Sequence, residues 1–184
     1  MYTLDYYHSS IPVSEYFEKY VDIPAFLEAC KACPNYGCVW SCPPYDFDVS
    51  DYWHNYSTLK LLAVKITFDE ESVSCTYPQE ELNRILNDTL FAQKQHLSDL
   101  LFEEEKKFPG SISLSAGSCQ CCPNGCTRSD AKPCRHIETL RYSLESLGAN
   151  VGLTIEKLMG LELEWMEEGK LPSHFVLVSG LLIP

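Results

Sequence analysis

The chain has 184 residues, 45% hydrophobic and 22% charged, a globular composition that excludes disordered and fibrous classes. Fourteen Lys and Arg against 26 Asp and Glu leave a formal net charge of −12, the wrong sign for gripping nucleic acid or an anionic membrane. One domain over residues 1–184 is expected, because halves of this length would each bury little core. Residues 1–10 have neither a basic start nor an apolar stretch, so no signal peptide is read there. Aliphatic runs such as 61–64 are only four residues long, far short of a membrane span. These readings place the protein in the cytoplasm, without nucleic-acid or membrane partners.

In chain order, residues 14–20 read as a short amphipathic helix. Asp22 as N-cap and Pro24 in the first turn start another, which runs to about residue 29 and delivers Cys30 at its end. Residues 30–44 hold four prolines or glycines among polar residues and form a loop. Residues 59–68 are strand-like, with Leu62, Val64, Ile66 and Phe68 on one face. Pro78 opens a long helix with a stripe of Leu82, Ile85, Leu86, Leu90, Leu97 and Leu101, which Pro109 and Gly110 stop. Its Glu103–Glu105 run reads as a solvated face with a Glu103–Lys107 pair.

Residues 111–115 form a short strand that feeds a second loop, 117–135. After Cys134 the spacing of Leu140, Leu144 and Leu147 predicts a helix with Gly148 as its C′ residue. A short helix at 154–159 ends at Gly160, and 161–165 and 174–183 are expected as strands. The last is almost continuously apolar, which suits a central strand covered on both faces. The expected architecture is α/β or α+β: a small mixed sheet with packed helices and two cysteine-rich metal-binding loops, 30–44 and 117–135.

Cysteine is the informative residue. There are ten, and in a chain without a secretory signal clustered cysteines point to metal before disulfide. The first loop reads Cys30-x2-Cys33-x4-Cys38-x3-Cys42-Pro43. The second reads Cys119-x2-Cys122-x3-Cys126-x7-Cys134, with Cys121 as a spare sulfur. Each brings four thiolates together within a short stretch, which suits an iron–sulfur cubane with one ligand per corner, and Cys38-x3-Cys42-Pro43 matches the end of a ferredoxin run. Zinc is the alternative, although structural zinc sites usually take two separated CxxC-type pairs. Cys75 stands alone and reads as a small buried hydrophobe.

Arg128, Lys132, Arg135 and Arg141 surround the second loop and would offset a negatively charged metal centre. Arg135, beside Cys134, is the cofactor-binding candidate. For Arg141 a helix-surface pair with Glu138 or Glu145 is the equal alternative. Tyr36, Trp40, Tyr45, Phe47, Tyr52 and Trp53 follow or flank the first loop, as a water-excluding collar or as plain core. His136 is placed as an outer donor to the second loop. No GxGxxG, P-loop, GxSxG or HExxH motif is present.

The stretches Cys30-x2-Cys33-Pro-Asn-Tyr36-Gly37-x2-Trp40-Ser-Cys42-Pro43-Pro44 and Gly117-x-Cys119-x2-Cys122, with Pro133-Cys134-Arg135 and Arg141-x-Ser143-x-Glu145-x2-Gly148, resemble the two ends of a prokaryotic family of predicted metal-binding proteins. The resemblance implies metal binding and no particular reaction. It makes Cys30, Cys33, Cys42, Cys119 and Cys134 the firmest ligands. Cys38 is an addition to the family pattern, and the longer interval from Cys122 to Cys126 lets Cys121 replace Cys122. The leading expectation is one or two 4Fe-4S clusters in an electron carrier or redox accessory that meets a redox partner protein. A zinc-stabilised interaction module and an enzyme with an open iron site near Arg135 are the other two readings.

Overall fold

The computed structural model describes residues 1–184. Strand β1 (Tyr2–Pro12) leads into helix α1 (Val13–Tyr20) and helix α2 (Ile23–Lys31). After the first cysteine loop come α3 (Val49–His54), β2 (Thr58–Phe68) and α4 (Glu70–Ser74). One continuous helical rod follows, made of α5 (Gln79–Leu86), a π-helical turn (Asn87–Phe91) and α6 (Ala92–Glu105). Strand β3 (Ile112–Leu114), the second cysteine loop, α7 (Val151–Met159) and β4 (His174–Ile183) complete the chain.

The sheet order is β1-β2-β4-β3 and each pairing is antiparallel. The one parallel pairing is an isolated bridge between Ser115 and Ser143. The fold is therefore α+β. Strand β4 is central, as its apolar run predicts, with Val64 opposite Leu177 on one side and Leu114 opposite Gly180 on the other.

Period-two alternation splits the sheet into two apolar faces. Leu59, Leu61, Ala63, Val178 and Leu182 face a core with Tyr16, Trp53, Leu147 and Ile155. Leu62, Val64, Ile66, Phe68, Phe175 and Leu181 face Leu82, Leu97 and Leu101 of the helical rod. Trp53 is fully buried and donates its indole N–H to the Leu147 carbonyl at 2.9 Å. It belongs to the core rather than to a collar around the cysteines.

Several local expectations are corrected. Strand β1 and helix α3 carry no strong periodicity: β1 is a polar-rich edge strand, and α3 starts at Asp48, whose carboxylate accepts from the Asp51 N–H. The helix expected after Cys134 does not form. Leu140, Leu144 and Leu147 are buried, but the Tyr142 carbonyl accepts from the Ser115 N–H at 2.8 Å. That bond extends the β3 edge and withholds the carbonyl from any helix; only a 3-10 turn, Glu145–Leu147, survives before left-handed Gly148. Residues 161–165 are not a strand. There the Glu162 carbonyl bonds the His174 ring and the Glu164 carboxylate accepts from Ser173. On the rod, the acidic run pairs as Glu103–Lys106 and Glu104–Lys107, one residue tighter than expected. Cys75 is exposed at the end of α4, not buried.

Candidate metal centre

All ten cysteines are free thiols. The two loops that carry nine of them, far apart in sequence, lie against each other. Asp22 accepts from the Ala25 N–H at 3.1 Å and starts α2, which carries Cys30 in its last turn. The chain then folds back through tight turns, with the Cys33, Tyr36, Cys38 and Cys42 N–H groups bonded to carbonyls three residues earlier. Buried Ser41 accepts from the Cys119 N–H at 2.9 Å. The Trp40 N–H donates to Cys126 Sγ at 3.4 Å, and its indole to the Lys132 carbonyl at 3.1 Å.

Arg128 locks this contact. Its guanidinium donates to the carbonyls of Val39, Cys42 and Pro44 and lies 5.0 Å from the Trp40 ring centre. Ser129 and Asn35 add bonds to the Cys38 carbonyl and the Ser118 hydroxyl.

Between the loops is a cavity of about 680 Å³ lined by Cys119, Cys121, Cys122, Cys126 and Cys134, by Trp40 and Ser41 of the first loop, and by His136. Three of those sulfurs accept backbone N–H groups: Cys119 from Cys121 at 3.5 Å, Cys126 from Trp40, and Cys134 from His136 at 3.3 Å. Donated N–H groups stabilise a thiolate over a thiol. His136 does act on Cys134, but through its backbone and not its ring. Both Cys121 and Cys122 face the cavity, Cys121 being the more exposed.

In the first loop, burial pushes Cys42 up to about 11, and the nearby thiols of Cys33 and Cys30 push the same way. Burial and Cys33 likewise raise Cys30. These three sulfurs sit within one another's electrostatic reach. Cys38 is exposed and its carbonyl faces the second loop. A cavity of about 210 Å³ beside Cys30 is lined by Tyr36, Tyr45, Phe47 and Glu145, so part of the expected aromatic collar is present. Cys119 is pushed up to about 12, first by burial and then by Cys121 and Cys134.

The cations are distributed otherwise than the sequence suggests. Arg135 is exposed, and Lys132 pairs with Asp130 at 3.4 Å. Arg141 is not on a helix and pairs with neither Glu138 nor Glu145 through their carboxylates; its guanidinium grips both oxygens of Glu105 at 2.8 Å. Two further charged residues stand beside the loops, Lys94, which the sequence did not single out, and Glu145, which it did. Lys94, from the rod, donates to the Ser118 carbonyl. Glu145, closely surrounded although partly accessible by area, is raised by burial. Lys94 has no spacing that ties it to a cysteine motif, so only the fold could reveal it, whereas Glu145 stands in the Arg141-x-Ser143-x-Glu145 stretch that follows the second loop.

No three Cys, His, Asp or Glu side chains converge on a single ion-sized point. The donor set nonetheless fits thiolate-bound metal: five sulfurs line one cavity, and three of them are already held by N–H groups. No helix is long and apolar enough to cross a membrane. No curated protein and no solved structure matches the chain. The family model described as Predicted metal-binding protein (DUF2284) matches residues 18–183, and the chain belongs to that family of metal-binding proteins.

Proposed function

We propose that the protein is an iron–sulfur protein that works as an electron carrier or redox accessory. The second loop would hold a cluster through Cys119, Cys126, Cys134 and one of Cys122 or Cys121. Cys30, Cys33 and Cys42, with Cys38 as the added fourth, form the second ligand set. The observation that carries the reading is the cavity of about 680 Å³ walled by five cysteines. A zinc ion with Zn–S bonds of about 2.3 Å needs its sulfurs about 3.8 Å apart around one point, and no three candidate ligands converge on such a point here. A cluster, with a separate iron for each sulfur, takes its ligands further apart than that.

Bound there, such a cluster supplies one-electron chemistry. The chain's own part is to hold the sulfurs, to aim N–H groups at them, and to exclude water with Trp40 on the cavity wall. The reading puts the protein in a reducing, cytoplasmic compartment with a protein redox partner, and keeps Arg135 as an exposed cation beside Cys134 that an anionic partner group can reach.

Anaerobic purification followed by iron, sulfide and zinc analysis tests it. Iron and acid-labile sulfide in equal amounts are expected. Cys134→Ser should remove one whole site, and Cys75→Ser should leave the content unchanged. Zinc without sulfide would replace the cluster reading by a zinc-stabilised module.

A further inference from the structure

Lys94 is far in sequence from the first loop and 24 positions before Ser118, to whose carbonyl it donates. Its ammonium reaches from the helical rod to Ser118, whose hydroxyl accepts from Asn35 of the first loop. It shares a cavity of about 80 Å³ with Cys119, Gln120 and Cys121. A methyl group built on Gly117 would sit 3.7 Å from Lys94 Nζ and 3.8 Å from Glu145 Oε1. Lys94 and Glu145 therefore flank the same point of backbone, just ahead of Cys119. Burial lowers the Lys94 pKa, and Glu145, Cys119, Cys42 and Cys121 oppose that in turn. The three thiols come from both cysteine loops, and Glu145 from the turn beyond the second. The neighbouring cations are engaged elsewhere: Arg128 on carbonyls, Arg141 on Glu105, Lys132 on Asp130.

We propose that Lys94 is the shared counter-charge of the two thiolate sets, a positioning residue that makes metal retention at each depend on one half-buried cation. The proposal rests on the reading that both loops carry thiolate-bound metal. An ammonium has three donors, and one is committed to Ser118. Filling either sulfur set adds negative charge facing the same Nζ. Glu145 is the competing anion, so its removal should act in the opposite direction to removal of Lys94.

The test compares Lys94→Met, Lys94→Arg and Glu145→Gln, each in Cys134→Ser and Cys42→Ser backgrounds that leave one set intact. The readout is retention of reconstituted metal against a chelator, with folding followed by circular dichroism. Lys94→Met should weaken retention by about tenfold in both backgrounds, Lys94→Arg should restore it, and Glu145→Gln should strengthen it. The comparison works with iron and sulfide or with zinc, so a zinc result would fail the cluster reading and leave this one standing. An effect in one background only, an unchanged chelator curve, or weaker retention in Glu145→Gln would overturn it. If Lys94→Met does not fold, the opposite sign expected of Glu145→Gln still decides.

Discussion

Arg128 donates to three carbonyls of the first cysteine loop and stacks on Trp40. A guanidinium serves three acceptors at once because its donors are fixed in a planar fork, which an ammonium cannot copy. Arg128→Gln should cost about 1–3 kcal/mol in a denaturant melt, the penalty of half-buried carbonyls left without a donor. Amide exchange of residues 38–44 should accelerate with it, and Arg128→Lys should rescue only part. Glu105 and Arg141 form the best-buried ion pair, 16% and 14% exposed. Burial raises the Glu105 pKa, but the bonds from Arg141 and from Ser113 outweigh it, and the carboxyl titrates below its ordinary value of 4.5. A depressed folded pKa means that its stabilisation is complete above pH 4.5 and is lost as pH falls through the folded value. Glu105→Gln should therefore lower stability at neutral pH and flatten the acid limb of the stability curve. Parallel acid limbs in the variant and the wild type would refute this.

Helix α2 exists to deliver Cys30, and its start depends on a residue far away. Gly148 has φ +86°, and an added Cβ would lie 2.9 Å from both Ile23 Cα and Ile23 Cγ1. Its carbonyl accepts from the Asp22 N–H at 2.9 Å. Gly148→Ala combines the backbone cost of about 1–2 kcal/mol with that clash, and should displace α2 and lose metal from the first set. Gly160→Ala is the control: φ is +66° with nothing within 4 Å, so a loss of stability without loss of metal is expected. Equal metal loss in both would separate Gly148 from Cys30 delivery. The same residue shows where local reading succeeds and stops. Gly148 as a terminator, the Asp22 cap, β2, the rod and β4 were legible because their signals are local: a cap, a period of two, a helical stripe. The absent helix after Cys134 had its stripe too, but the Ser115–Tyr142 bond is a long-range competitor that no stripe reveals. The cysteine loops were legible by spacing, whereas their mutual contact and the Arg128 lock depend on residues some 80 positions apart meeting in space, and Lys94 and Glu145 come to flank Gly117 from separate parts of the chain.

Across the whole molecule, the two faces of the sheet are closed by separate layers, α1, α3 and α7 on one and the rod on the other. The cysteine loops carry little regular structure of their own. They are held by each other and by what the layers hand them: Cys30 from α2, Lys94 from the rod, and Ser115 just past β3, whose hydroxyl donates to the Gly117 carbonyl. This mutual support has a consequence for biosynthesis. Ser41 and Cys119, joined by a hydrogen bond in the fold, are 78 positions apart. At roughly 5–20 residues per second, about 4–16 s separate their emergence from a ribosome. Throughout that interval the first four cysteines are thiols on an unfinished chain, lacking Cys119, Arg128 and the central strand β4. The pocket between the loops, walled by Cys119, Cys126 and Cys134 on one side and Trp40 and Ser41 on the other, is thus a product of the nearly completed polypeptide, and a metal held there would arrive only once both loops are out.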